Sequence, residues 1–438
     1  MDYIGREMCE PAYWYQKQIN PEAVLADYDQ IKDINRLIAE DPDTGVRDLK
    51  KEPETFDGAE FNKELLRIAE DNIDWYLAQA QTMYTDGGEA LNKDSFENIV
   101  RNTQSRMAES QQHVQYGIVT NRTSFRGLPT DMMILDEKTD YNFDYLYSGS
   151  INVNEPLIIK SFSADGIYFY AIGTNCEGWV PKEDVAICSD KKSWQRAWDI
   201  EPADVLVIYE DKLITEITRV DKEISNRLLG MGTVLEKVSE EECSSNVSNR
   251  VPIFNHVVWL PIRKEDGSYG RSMALIPFHK KVSEGYLPLS YKNIAEVAFN
   301  MLGNTYGWGG MLDSNDCSGY ISDIYRCFGL VLAKNTSFQS KMPVKKYDVK
   351  TASSDEKRAI LNELSLGTML VWNGHVVLYL GKQDKRYYVI SSVSSAVIPE
   401  GKLNKVRNVI INSLDVKRVS GDTWLDAVET ILVPYIIQ

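Results

Sequence analysis

Histidine and cysteine are scarce in this chain: four His and six Cys in 438 residues. The cysteines are Cys9, Cys176, Cys188, Cys243, Cys317 and Cys327, with no C-x-x-C pair. That excludes a disulfide framework. No His/Cys cluster offers the three or four ligands of a zinc site, so neither a metal nor a cofactor is expected. Long apolar runs are also missing; nothing approaches the roughly 18–20 residues of a membrane span. Positive charge is short, with 48 Lys+Arg against 64 Asp+Glu and a net charge of −16. An acidic surface without a basic stripe argues against nucleic acid as a partner. The opening MDYIGREMCEPAYWYQ has no basic region followed by an apolar one, so no secretory signal is read there. The expectation is a cytoplasmic protein, or an exported one whose signal has been removed.

What is present is ordinary globular material, 43% hydrophobic and 26% charged, long enough for roughly two to four domains at about 100–200 residues each. Residues 1–115 read as a helical N-terminal region. Ile31, Ile34, Leu37 and Ile38 recur at helix spacing, as do Leu65, Ile68, Trp75 and Leu77, and core packing is the reading for these side chains. Near residue 117 the texture turns β-branched and turn-rich. Short apolar runs at Leu157–Ile159, Ile167–Ile172 and Trp179–Val180 predict a small barrel over 116–200. The pattern repeats over 201–285, with Asp266-Gly267 as a hairpin turn, and predicts a second barrel. Residues 286–438 return to helical spacing, then a Gly-rich turn, a second helix and a run of strands: a separate α+β domain. The fold class is thus multidomain α+β.

The chemistry concentrates in TYGWGGMLDSNDCSGYISDIYRCFG. Tyr320, Ile321, Ile324 and Tyr325 follow Cys317 at helical spacing, so a helix begins at or near the cysteine. A thiol there sits at the positive end of the helix dipole, which favours thiolate, beside free N–H groups able to hold an oxyanion. A small buried core cysteine fits the same pattern. Cys327, ten residues on, would lie about 15 Å away along one helix, too far for a disulfide. In LGTMLVWNGHVVLYLG, Asn373-Gly374 marks a hairpin and His375 opens its second strand. His375, Val377 and Tyr379 then share one face, with Val376, Leu378 and Leu380 on the other. A Cys–His pair would let the imidazole take the thiol proton and pass it to a leaving amine; a solvated turn histidine is the alternative. His113, in a polar stretch read as helical, and His256 and His279, at strand ends, read as surface or satisfied positions.

YGWGG, then DCSGY, then GHVVLYLG, in that order, resembles the NlpC family of papain-like cysteine peptidases. The earlier matches are looser: PAYWYQK, then NRTSFRGLPTD closing on GWVPKEDVA, resemble the multidomain members with two bacterial SH3-like modules. Those members are γ-D-glutamyl-L-diamino acid endopeptidases of the dipeptidyl-peptidase VI type. The resemblance implies a C-terminal papain-like peptidase domain acting on peptidoglycan-derived peptides. It carries Cys317 onto the nucleophile and His375 onto the general base. Asp316 and Ser318 fall where the family binds the free amine of L-Ala-γ-D-Glu; a helix N-cap is the other reading of Asp316. Tyr306 and Trp308 fall on an aromatic wall, or pack under the Gly-rich turn. The third catalytic position, usually His, falls on Ser391 in KRYYVISSVSS, with Ser392 facing the opposite way. A neutral hydroxyl stabilises an imidazolium less than a carboxylate does and orients it less rigidly. The acidic and aromatic residues that an SH3-like module contributes to the amine pocket in related enzymes have no clear counterpart in 145–152 or 174–179. YLYSGS holds no acid, and Cys176 and Glu177 stand where a Tyr is expected. The reading is a cell-wall cysteine endopeptidase. A catalytically weak wall-peptide sensor is the alternative, and a thiol acyltransferase or amidase on the same fold a third.

Overall fold

The computed structural model describes residues 4–104, 111–398 and 401–437. The N-terminal region does not stand alone. Its helix Tyr28–Glu40 starts on a capping box, Asp27 and Gln30 satisfying each other's backbone N–H groups. It buries Ile31, Ile34 and Ile38 in the same core as Tyr320 and Ile324, two hundred and more residues away. The helix Gly58–Leu77, capped by Asp57, turns the other way. Its Ala69, Ile73 and Tyr76 pack on Leu128, Ile134 and Leu146, and its Leu65 packs on Tyr168, Tyr170 and Trp179. One half of the region therefore belongs to the C-terminal core and the other to the first β module. His113, read as helical, sits exposed on the strand Gln111–His113.

The first β module is a seven-stranded antiparallel sheet. Its order is Tyr147–Ile151, Thr123–Arg126, Glu177–Pro181, Tyr168–Ile172, Pro156–Phe162, Gln115–Val119, Val185–Ile187. It curls around Val119, Phe125, Ile151, Leu157, Phe169 and Val180. The second module is a five-stranded sheet built on the long hairpin Asn255–Arg263 and Tyr269–Pro277, with a two-stranded ribbon, Lys212–Ile214 and Leu228–Gly230, over Leu206, Leu235 and Val258. Both modules were expected as barrels. Among the described residues the end strands of neither sheet pair with each other, so the sheets curl without closing. Bulges at Phe125/Arg126 and Ile159/Ser161 supply curvature in the first.

The C-terminal region is a six-stranded antiparallel sheet in the order Val344–Asp348, Thr430–Ile437, Met369–Trp372, His375–Gln383, Arg386–Ala396, Asn404–Ser413. Helices Tyr291–Phe299 and Cys317–Arg326 cover one face through Ile294, Tyr320, Val376, Leu378 and Ile390. Leu361, Trp424 and Leu425 cover the other, against Val377, Tyr379 and Val389. The strand starting at His375 alternates between these cores as its period of two requires. Among the described residues no helix is long and apolar enough to cross a membrane.

Candidate active site

The helix Cys317–Arg326 begins at the cysteine. Asp316 Oδ1 accepts from the backbone N–H of Gly319 at 2.8 Å and from the Ser318 hydroxyl at 2.9 Å; its Oδ2 accepts from the Gly309 N–H at 3.2 Å. Asp316 is thus an N-cap that also pins the Gly-rich turn to the helix. Burial raises its carboxyl above the usual range, opposed by those same hydrogen bonds. Both carboxylate oxygens already serve the chain: Oδ1 is filled by two donors, and only Oδ2 keeps a lone pair for an ammonium group.

Cys317 is 8% exposed. Its Sγ lies 3.7 Å from Thr336 Oγ1, and the backbone N–H groups of Val376 and Ser318 also act on it. Burial first, then the neighbouring Asp316 charge, push the thiol up to about 12. The helix N-terminus was expected to favour thiolate; desolvation outweighs it in the free protein. Alkylation of Cys317 by iodoacetamide, read by mass spectrometry at that residue, should therefore be slow at pH 7 and climb about tenfold per pH unit toward pH 9, as thiolate does below its pKa. A rate already flat across that range would mean a standing thiolate–imidazolium pair.

His375 follows the turn Asn373-Gly374, where Gly374 takes φ +81°, and pairs across the hairpin with Trp372. Its ring lies 5.1 Å from Trp372 and 5.5 Å from Trp424, edge-on to both. Burial lowers the imidazole to about 4. The thiol meets this strand at Val376, one residue from His375, and no hydrogen bond joins the two side chains. The imidazole sits instead on the Trp372 and Trp424 side of the sheet. Nε2 of His375 and the hydroxyl of Ser391 are both buried without a hydrogen-bond partner. The register Leu378↔Ile390 puts Ser391 on the His375 side of the sheet and Ser392 on the Cys317 side. There the Ser392 hydroxyl donates to the Asn315 carbonyl at 2.8 Å, tying this strand to the backbone just before the nucleophile.

Three regions of the chain build the wall beside Cys317. Tyr306 is buried, and burial together with the charges of Asp316 and Cys317 raises its phenol. Phe143 stacks on Tyr306 at 6.2 Å and lies 5.1 Å from Trp308; Tyr145 lies 6.0 Å from Trp308. Trp75, from the helix Gly58–Leu77, stacks near-parallel on Trp308 at 6.4 Å and remains 44% exposed. Sequence reasoning put Trp75 in a core and found no aromatic contribution from the first β module. Phe143 and Tyr145 stand just before and at the start of residues 145–152, and no local signal ties Trp75 to residues 230 positions away. Arg122, another residue the sequence did not single out, is buried and holds the Gly-rich turn through the carbonyls of Gly310, at 3.4 Å, and Ser314, at 3.0 Å. Of the proposed site residues, Cys317, Asp316, Ser318, Tyr306 and Trp308 gather at the helix start. His375 and Ser391 lie on the adjoining strands, facing the other core. Among the described residues no cluster of three or more His, Cys, Asp or Glu side chains is arranged to hold a metal.

Residues 135–181 match the SH3 domain of SH3b1 type, and residues 303–424 match the NlpC/P60 family. Among solved structures, the chain is similar to an NlpC/P60 endopeptidase from Photobacterium damselae subsp. piscicida, at 18% identity over 97% of each chain with a TM-score of 0.73. It is also similar to an NlpC/P60 family protein from Bacillus cereus ATCC 10987, at 13% identity over 73% of this chain and 99% of that one, with a TM-score of 0.48. Curated proteins give no match. The first likeness establishes a shared fold across nearly the whole chain. The stretch 303–424 that matches the NlpC/P60 family takes in the Cys317 helix, the His375 strand and Trp424, and the SH3b1-type match falls on the first β module.

Proposed function

We propose that the protein is a cysteine endopeptidase that hydrolyses the γ-D-Glu–diamino acid bond of peptidoglycan stem peptides carrying a free N-terminal L-Ala. The observation that carries this reading is the wall beside Cys317. Trp75, Phe143, Tyr145 and Trp308 form a continuous aromatic cluster with Tyr306, which lies beside the nucleophile, and such a wall suits a short peptide better than intact glycan. Asp316 and Ser318, at the helix start, would receive the ammonium group. Cys317 and His375 would run an acyl transfer. With its ring turned from Trp372 and Trp424 toward the helix, His375 takes the thiol proton and the sulfur attacks the γ-carbonyl, with the oxyanion held by free N–H groups of the first helical turn. The imidazolium then protonates the leaving amine, and water, deprotonated by His375, hydrolyses the thioester. A peptide-binding or sensing protein with little turnover is the second reading, favoured by the absence of a hydrogen bond on His375 Nε2.

Incubation with L-Ala-γ-D-Glu-meso-diaminopimelate and with its L-Lys counterpart separates the two. Release of L-Ala-γ-D-Glu supports the peptidase, while saturable binding without release sinks it. Ser391, taken as the third catalytic position, has its own test. If its hydroxyl comes to orient the imidazole during turnover, Ser391→Ala lowers kcat by roughly tenfold and leaves KM alone. An unchanged kcat would reduce Ser391 to a packing residue.

A further inference from the structure

The hydroxyl in hydrogen-bond contact with the candidate nucleophile belongs to Thr336. Thr336 opens the short helix Thr336–Gln339, and its Oγ1 is the only side-chain hydrogen-bond partner of Cys317 Sγ among the described residues, at 3.7 Å. This small surface segment is fastened with unusual thoroughness. Asn335 caps it, accepting from the Ser337 N–H at 2.9 Å. Gln339 is fully buried and donates to the carbonyls of Ser318, at 3.0 Å, and Ala333, at 2.7 Å. The first of these lies in the opening turn of the Cys317 helix. Ser322, one turn on, donates to the Leu332 carbonyl at 3.1 Å. Lys334 is buried too, paired with Asp323 at 3.3 Å and donating to the Ser150 carbonyl at 2.8 Å. A residue held from both sides in this way keeps its position when the thiol changes charge.

We propose that Thr336 holds the nucleophile: its hydroxyl donates a hydrogen bond to the Cys317 sulfur whenever that sulfur is anionic. The proposal rests on the reading of Cys317 as the nucleophile. A buried thiolate has little water to stabilise it, so each protein donor counts for more than it would at the surface. The donors available are the N–H groups of Val376 and Ser318 and this hydroxyl. The sulfur is anionic twice in an acyl transfer: after the thiol proton moves to His375, and again when the thioester is hydrolysed and the C–S bond breaks. In the thioester between those points the sulfur is neutral and a poor acceptor, so the interaction favours the reactive form over the resting acyl-enzyme. Thr336 forms and breaks no covalent bond, and its proton stays on Oγ1. Thr336 itself is partly exposed.

The test is the pH dependence of Cys317 alkylation by iodoacetamide in the full chain, followed at that residue by mass spectrometry, for the native protein, Thr336→Val and Thr336→Ser. Valine keeps the shape and removes the donor. A hydrogen bond to a charged group corresponds to about one pH unit, so Thr336→Val should move the alkylation profile up by about one unit and slow the reaction about tenfold at pH 8. Thr336→Ser should follow the native profile within about twofold, because it keeps the hydroxyl. A valine profile that coincides with the native one overturns the proposal, and so does a serine profile that moves with valine, since the methyl group would then be what matters. Thermal melting checks that both variants fold. If valine fails to fold, the serine profile together with Thr336→Ala decides in the same way. Alkylation needs no substrate, so a native protein that cleaves no peptide would fail the peptidase reading without touching this result. On a cleaved peptide, Thr336→Val should lower kcat about tenfold with KM unchanged.

Discussion

Cys317→Ala is expected to abolish release of L-Ala-γ-D-Glu, and His375→Ala to lower kcat by about 10³-fold or more. The double variant should be no worse than Cys317→Ala alone, because nucleophile and base act on one proton and their losses do not add. The structure gives a reason to expect so steep a loss from His375. Its neighbours Trp372 and Trp424 are aromatic, and the remaining histidines, His113, His256 and His279, lie outside the NlpC/P60 segment, so no second imidazole stands by to replace it. Steady-state kinetics on the two peptides, with circular dichroism to confirm folding, measure the effect. A Cys317→Ala protein that still released dipeptide would remove the nucleophile assignment, and with it the acyl-transfer mechanism.

Gly310→Ala should disrupt the site from a distance. Gly310 lies in the turn beside the aromatic wall with φ +91°, and a Cβ there would meet Ser150 Cβ at 2.5 Å and the Ser124 hydroxyl at 2.7 Å. Both belong to strands of the first β module. The left-handed backbone alone costs a residue with a side chain about 1–2 kcal/mol, and forcing an atom into filled space adds about 1–3 kcal/mol. Gly303→Ala is the control: at φ +87° it carries the same backbone cost, with nothing within 4 Å of the added carbon. Gly310→Ala should melt lower than Gly303→Ala and lose most of its turnover, since the turn carrying Trp308 must shift away from Tyr147 and Ser150. Equal melting temperatures and equal rates for the two variants would mean that the SH3 module does not shape the cleft.

The local parts of this protein were legible because their signals are local. A helix starting at Cys317 follows from small polar residues ahead of an i, i+3, i+4 apolar set, and the hairpin at Asn373-Gly374 from the turn chemistry of that dipeptide. The opposition of Val377 and Tyr379 to Val376 and Leu378 follows from strand alternation, and the cores on the two faces have that membership. The placement of Ser391 and Ser392 on opposite faces was likewise a matter of period two. Trp75 was illegible for the converse reason. Helical spacing reports which side chains share a face, and says nothing about whether that face meets solvent, a core or another domain's tryptophan.

The sequence by itself determined the helix that starts at Cys317, the hairpin that His375 follows and the alternation along its second strand, because short-range periodicity and turn chemistry specify these. Only the tertiary structure decided three other things. The curled sheets stop short of closed barrels, because closure depends on pairing between strands far apart in the chain. The N-terminal region is divided between two cores, because apolar faces of similar pattern carry no address. And the thiol of Cys317, marked by its helix terminus as a thiolate, is held neutral by burial beside Asp316, because the desolvation of a charge depends on everything folded around it.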